Sequence, residues 1–366
     1  MRRFSMRRAR SATGCGMGAE AGMMAFAVPG DVETTTGGYL YDRRLAAALV
    51  ALGIAVRFLR LGDSFPHPNV RDMQDALAQL EALPPDCPAL VDGLAYGALA
   101  PEGLARVRAP LVALVHHPLA LEPGLSIAQA RAMADREKAN LGMARHIVVT
   151  SSHIAGLLRE AYGVAADRIS IARPGFVPPR GQEVADTPPL ILSVGLLAQR
   201  KGHDVLLRAL AKLVDLDWRA TIVGRLHEPG TVRLLYALQS DLGLSTRVDI
   251  AGEIAQPALD ALYGRATLFA LATRYEGYGI VFDEAMGHGL PIISTTSGAV
   301  PETVAPGAGC LVPPDDPEAF AEALRRMLTD AALRAGCAAQ AKRAASRLGD
   351  WTAAAQVVAR VLAGPK

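Results

Sequence analysis

The chain has 366 residues, 51% of them hydrophobic, with 38 lysines and arginines against 36 acids and a formal charge of +2. That length has room for two domains of ordinary size, and so even a balance excludes recognition of nucleic acid or of an acidic substrate by bulk electrostatics. Cys15, Cys87, Cys310 and Cys337 are too scattered for a CxxC pair or a zinc cluster, so neither a disulfide nor a structural metal is expected and a reducing, cytoplasmic setting is the simplest account.

Arg2, Arg3, Arg7, Arg8 and Arg10 open the chain, but the apolar run that a signal peptide needs does not follow. SATGCGMGAE comes instead, and residues 1–22 are expected to be a disordered extension or the product of a misplaced start codon. No apolar run reaches the ~18 residues of a spanning helix, which leaves at most peripheral contact with a membrane. From Met23 short apolar runs alternate with helix-period segments: MMAFAVPG, then YLYDRRLAAALVALG, then IAVRFLRLG. This is the pattern of βα units on a parallel sheet. PALVDGL, PLVALVHHP, HIVVTSS and ISIARPG continue the strands, with helices expected over Leu99 to Arg108 and Ala128 to Leu141.

Periodicity stops at GFVPPRGQEVADTPP, residues 175–189, which is read as an interdomain linker. The alternation then restarts with LILSVG, ATIVG, RVDIAG, TLFALAT and LPIISTT as strands and HDVLLRALAKL, TVRLLYALQSDLG, QPALDALYGRA and EAFAEALRRMLTD as helices. Two doubly wound domains facing one another put the carboxyl ends of both sheets around one cleft. Domains are expected at 23–178 and 179–348, with DWTAAAQVVARVLAG, residues 349–366, supplying a last helix. Helix N-termini behind such strands favour phosphates through free N–H groups and the helix dipole.

Four places on this frame carry chemistry. In PGDVETTTGGYL, Gly37 and Gly38 let a phosphate or sugar approach the backbone. GxGxxG is absent there, as is GxxxxGK[ST] anywhere, so neither a dinucleotide fingerprint nor a P-loop is present. His116 and His117 end the strand PLVALV, facing the cleft, although a satisfied core histidine is the plain alternative. Arg200 and Lys201, with Gly202, follow LILSVG, and a lysine there can neutralise a diphosphate as a point charge. Alone it reads better as a solvated loop lysine; paired with the acid turn two strands later it reads better as the phosphate partner. Last, TRYEGYGIVFDEAMGHGLP sets Glu276 before a helix and Glu284 one turn inside it, with Gly277, Tyr278 and Gly279 between. Carboxylates there can accept a pair of sugar hydroxyls, or can merely complement the helix dipole.

These motifs in this order resemble a glycosyltransferase of family 4. Glu276 and Glu284 stand in the E-x7-E pattern with EGYG in the place of EGFG, and RKG, the GG turn, VVTSSHIAGLLREAYGV and AVPETV follow suit over about residues 25–350. The resemblance implies an α/β protein of the GT-B fold, two Rossmann-like domains across a cleft. It also implies a retaining, metal-independent transfer of a sugar from a nucleotide-diphosphate donor, with no cofactor. By the same resemblance Glu276 and His116 are the catalytic pair, Lys201 and Arg200 hold the diphosphate with Gly277 to Gly279 and the Gly37–Gly38 turn, and Glu284 takes the ribose. His117 is a neighbour without a fixed role, and the last helix crosses back onto the first domain.

One position departs. The family often has an arginine where this chain has Leu196, and Arg200 is the nearest cation to replace it. That departure keeps a non-catalytic nucleotide-sugar-binding or partner-supporting subunit as an alternative, and the same fold would also suit other chemistry, as in a nucleotide-sugar epimerase or a sugar phosphorylase. The acceptor, whether a sugar, a lipid-linked or a small-molecule hydroxyl, has no code; loops 62–72 and 118–130 are where it is expected. A lipid-linked acceptor would suit an enzyme at the inner face of the membrane.

Overall fold

The computed structural model describes residues 23–364 apart from Thr35, Pro123 and residues 180–183; the expectation for residues 1–22, and part of that for the linker, lie outside it. In the first domain β1 (Met23–Pro29), β2 (Ala55–Leu61), β3 (Ala89–Asp92), β4 (Leu111–Val115), β5 (His146–Val149) and β6 (Ile169–Ile171) form one sheet in the order β2-β1-β3-β4-β5-β6. All of its pairings are parallel. In the second, β7 (Leu190–Val194), β8 (Arg219–Val223), β9 (Val248–Gly252), β10 (Leu268–Ala270), β11 (Ile292–Thr295) and β12 (Gly309–Val312) run β12-β11-β10-β7-β8-β9, again parallel. The expected fold class, two doubly wound α/β domains, is the one observed.

Continuous apolar strands make sense only where helices cover both faces of a parallel sheet. Every residue of β4 and of β7 is buried. On one face of the first sheet Val91, Ala113 and Ile147 pack with Leu77 and Leu80. On the other, Phe26, Leu90, Val112 and Val148 pack with Tyr41 and Leu45 of the helix Gly37–Ala51 and with Val358 and Leu362 of the helix Trp351–Ala363. Each such fully buried side chain contributes roughly 1.5–3 kcal/mol, and the last helix thereby belongs to the packing of the first domain. Asp350 caps it, accepting from Ala353 N at 3.0 Å.

Strand order fixes where the cleft is lined. The direction of winding reverses between β1 and β3 in the first sheet and between β7 and β10 in the second, and ligands of open α/β sheets bind at those switch points. Two chain crossings join the domains, after β6 and before Trp351. They touch: Phe176 N donates to Gly349 O at 2.9 Å, and any Cβ at Gly175 would collide with the backbone of Trp351.

Several element expectations are corrected. Only Pro101–Leu104 of the stretch 99–108 is helical, because Pro101 can begin a helix but not continue one, and Gly103 packs directly on Leu77. Helices Val70–Glu81 and Ala331–Ala345 and strand β12 were not read from the pattern. Consequently the expected acceptor loops are shorter than 62–72 and 118–130, since helices already begin at Val70 and Ile127.

Candidate active site

At the switch point of the second domain the chain leaving β7 makes a short 3-10 turn, Gln199–Lys201, and enters the helix His203–Leu210 through Gly202. Gly202 has φ +63°, and a Cβ on it would collide with the Ala272 carbonyl. Only glycine meets both demands. The turn carries Lys201 to the segment after β10, where its Nζ lies 2.6 Å from Glu276 Oε1. Thr273 Oγ1 is 3.1 Å from the same oxygen and Arg200 Nη1 is 3.7 Å from Oε2. Ala299 N donates to Glu276 O at 2.9 Å, so the AVPETV turn clamps this backbone as well.

Glu276 is only 4% exposed. Burial opposes its charge, yet Lys201 and Arg200 outweigh burial and hold the carboxyl below its usual range. Burial is also the largest influence on Lys201, which falls below the ordinary lysine value despite the attraction of Glu276. The two groups thus form a buried ion pair. Arg200 is committed by a 3.0 Å bond to the Tyr275 carbonyl as well as by Glu276. Its guanidinium is thus engaged within the turn rather than free.

Gly279, at φ +91°, starts the helix Ile280–Gly287, and no side chain caps it. Phe282 N already donates to Gly279 O at 3.0 Å, which leaves the N–H groups of Ile280 and Val281 as donors for an anion. A Cβ at Gly277 would collide with His116 O, so glycine is what lets the two domains meet here. The side chain of Tyr278 is buried, its hydroxyl donating to Asp283 Oδ2 at 2.7 Å; what it can offer a ligand is backbone. Glu284 accepts from Tyr263 Oη at 2.9 Å. Burial and Asp260 push its pKa up to about 7, against the Tyr263 hydrogen bond.

Across the cleft His116 sits at the end of β4, over two aspartates that no sequence motif singles out. Its Nε2 is 3.2 Å from Asp42 Oδ1 and 3.5 Å from Asp92 Oδ2, with both aspartates at most 1% exposed and His116 20%. Tyr41 packs in T-shaped contact with the imidazole and with Trp351, at ring-centroid distances of 5.2 and 5.3 Å. Burial by itself would lower the His116 pKa, but hydrogen bonds to the two carboxylates raise it to about 10. Burial and the Asp92 charge raise Asp42 to about 7. The ligand atoms of Asp42, Asp92 and His116 lie within 4.8 Å of one another, so this is the cluster among the described residues that could take a cation. Asp92 was findable as an acid ending the buried run PALVD, and Asp42 as the residue one helical turn after Gly38.

The native cluster holds protons more tightly than the unfolded chain. A raised histidine pKa contributes stability that is complete below ~6.5 and lost as pH rises through about 10. From pH 7 to 9 the stability of the wild type should therefore fall more steeply than that of His116→Gln. Urea denaturation of both at the two pH values checks this, and parallel curves would remove the charged histidine.

Gly37 and Gly38 form the first turn of the helix Gly37–Ala51 rather than the loop before it, with Thr36 Oγ1 accepting from Tyr39 N at 3.2 Å. A Cβ at Gly37 would meet nothing within 4 Å and one at Gly38 would only touch His116. Packing does not demand either glycine. His117 is turned to Glu122 in a short contact, and the Glu122 carboxyl is held down to about 2, where burial is outweighed by His117. Glu302 of the second domain accepts from Ser152 N at 2.8 Å and His153 N at 3.0 Å, at the start of the helix Ser152–Glu160 of the first. His153 Nε2 lies 3.2 Å from Tyr275 Oη. Through these contacts the end of β4, with His116, meets the turn that carries Glu276 and Gly277.

Residues 179–344 match the family Glycosyl transferases group 1. The D-inositol 3-phosphate glycosyltransferase of Xylanimonas cellulosilytica is 31% identical over 235 residues, covering 59% of this chain and 56% of the relative. The chain thus spans little more than half the length of the curated relatives it matches. Among solved structures, the sucrose-phosphate synthase of Thermosynechococcus elongatus superposes with a TM-score of 0.76 at 21% identity, covering 92% of this chain and 97% of the other. Anabaena HepE in complex with UDP-glucose gives 0.73 at 19% identity, over 93% and 99%.

Proposed function

From the premise that the second domain matches glycosyl transferases group 1 and the whole chain takes the GT-B form, we propose a retaining glycosyltransferase that uses a nucleoside-diphosphate sugar. The observation that carries it is the pairing of Lys201 with Glu276 at the second switch point, opposite His116 and beside the uncapped start of Ile280–Gly287. On this reading the donor diphosphate lies against the helix start and Lys201, while Glu276 takes a hydroxyl of the donor sugar. Glu284, with Tyr263, takes the ribose.

The bond from the anomeric carbon to the phosphate oxygen breaks, the acceptor oxygen bonds to that carbon on the same face, and the acceptor proton passes to the departing phosphate. Charge grows on the leaving diphosphate, where fixed donors are most effective. His116, held cationic by Asp42 and Asp92, faces the sugar and fixes its orientation. Glu276 favours the positive character that develops on the ring. The acceptor hydroxyl, on a sugar, a lipid-linked or a small molecule, enters over the first domain. No helix among the described residues is long and apolar enough to cross a membrane, so a lipid-linked acceptor would be met at the membrane surface.

Metal independence belongs to this reading, since Lys201 and the helix start supply the charge a divalent ion would. Calorimetric titration of UDP, GDP, ADP and their glucose and mannose conjugates tests it, first in EDTA and then with Mg²⁺. Complexed UDP-glucose in the Anabaena structure makes that donor the first to try. Selective binding in EDTA that sharpens from nucleoside to diphosphate is the expected result. Binding only with metal would refer the site to Asp42, Asp92 and His116 instead.

A further inference from the structure

The cations around the cleft are nearly all taken. Lys201 and Arg200 are engaged by Glu276, Arg173 lies 3.9 Å from Glu302 and bonds Ser152, and Arg274 is fixed between Asp204 and Asp315. Arg225 differs: it is half-buried, and among the described residues its guanidinium has no hydrogen-bond or ion-pair partner. A partly desolvated arginine without an anion is an expensive thing to keep in place.

Its position is set by the sheet. β7 and β8 pair from Leu190↔Arg219 to Val194↔Val223, and the bridge Leu197↔Leu226 keeps the same offset beyond the strand ends. Leu197 N donates to Arg225 O at 2.9 Å, and a Cβ at Gly224 would collide with the Gly195 carbonyl. Arg225 therefore stands directly beside Leu196, one strand spacing away, ~4.8 Å. An arginine side chain spans that distance easily. The loop also looks across at the first domain, since Arg225 is felt by the Tyr39 hydroxyl and His227 by Glu122.

We propose that Arg225 is the diphosphate clamp of this chain, a bidentate donor set on β8 in place of a charge at the end of β7. Guanidinium is suited to the role because two parallel N–H groups match two phosphate oxygens. The diphosphate would bridge Arg225 on one side and the start of Ile280–Gly287 on the other, without drawing Lys201 wholly away from Glu276. The proposal rests on the nucleotide-sugar reading above and adds a residue and a location to it.

The test is calorimetric titration of wild type, Arg225→Ala and the double variant Arg225→Ala/Leu196→Arg with UDP, GDP, ADP and the free nucleosides. Arg225→Ala should bind the preferred diphosphate at least tenfold more weakly while binding the nucleoside as before, and Leu196→Arg should restore the loss. Because the Arg225 side chain has no bonding partner among the described residues, its removal should leave the fold intact, which circular dichroism and Tm check. Unchanged diphosphate affinity in Arg225→Ala, or an equal loss for the nucleoside, would overturn the clamp alone. Wild-type protein that binds none of the diphosphates would overturn the donor reading and the clamp with it.

Discussion

Glutamine in place of Glu276 should reduce the rate of transfer by about 100-fold or more, the size of effect seen when one preorganised electrostatic group is lost from an active site. The substitution preserves shape, and the amide oxygen can still accept from Lys201 and Thr273. Removing the negative charge leaves a buried ammonium without its counter-ion, however, so a stability loss of about 1–3 kcal/mol accompanies it. Fold and nucleotide affinity should otherwise survive. Steady-state kinetics with the donor identified by calorimetry, beside urea denaturation, separates the two effects; full turnover in Glu276→Gln would sink the site.

Lys201→Ala should produce the larger structural effect. Its ammonium is the nearest partner of a carboxylate that is itself almost wholly buried, and breaking such a pair from one side costs about 3–5 kcal/mol. Affinity for a nucleoside diphosphate should drop much further than affinity for the nucleoside, because only the former carries the charge that Lys201 meets. A Lys201→Ala/Glu276→Gln double variant should recover part of the lost stability, since no buried charge is then left alone. Equal losses for diphosphate and nucleoside, with no recovery in the double variant, would make Lys201 a residue of the fold only.

Much of the fold was legible because it rests on features that one sequence carries: buried runs such as LVALV and LILSV, and helix-period segments between them. Helices that failed to show did so for physical reasons. Ala331–Ala345 is dominated by alanine, arginine and lysine, which leave hardly any apolar stripe to find, and Val70–Glu81 follows a stretch of turn residues that hides its start. Residues at the candidate site were legible where glycine and charge stood together, as at Glu276 and Lys201. Their pairing was not, for it depends on Gly202 bending the chain against Ala272 from seventy positions away. Asp42 and Asp92 were hidden for the same reason: an acid inside the helix Gly37–Ala51 and one ending β3 read as ordinary until β4 brings His116 over both. Arg225 needed the register of β7 with β8.

The two crossings between the domains, held together by Phe176 and Gly349, determine what kind of motion the cleft can have. Domains on one strand swivel as well as bend; domains on two strands laid side by side lose the swivel. The close approach of Gly277 to the His116 carbonyl is then set by how these two crossings run. Even a chain cut in one crossing would keep its halves in company through the other, at an effective concentration of the order of millimolar. Alignment of two half-sites on separate domains thus becomes a property of the backbone path, independent of whatever ligand lies between them.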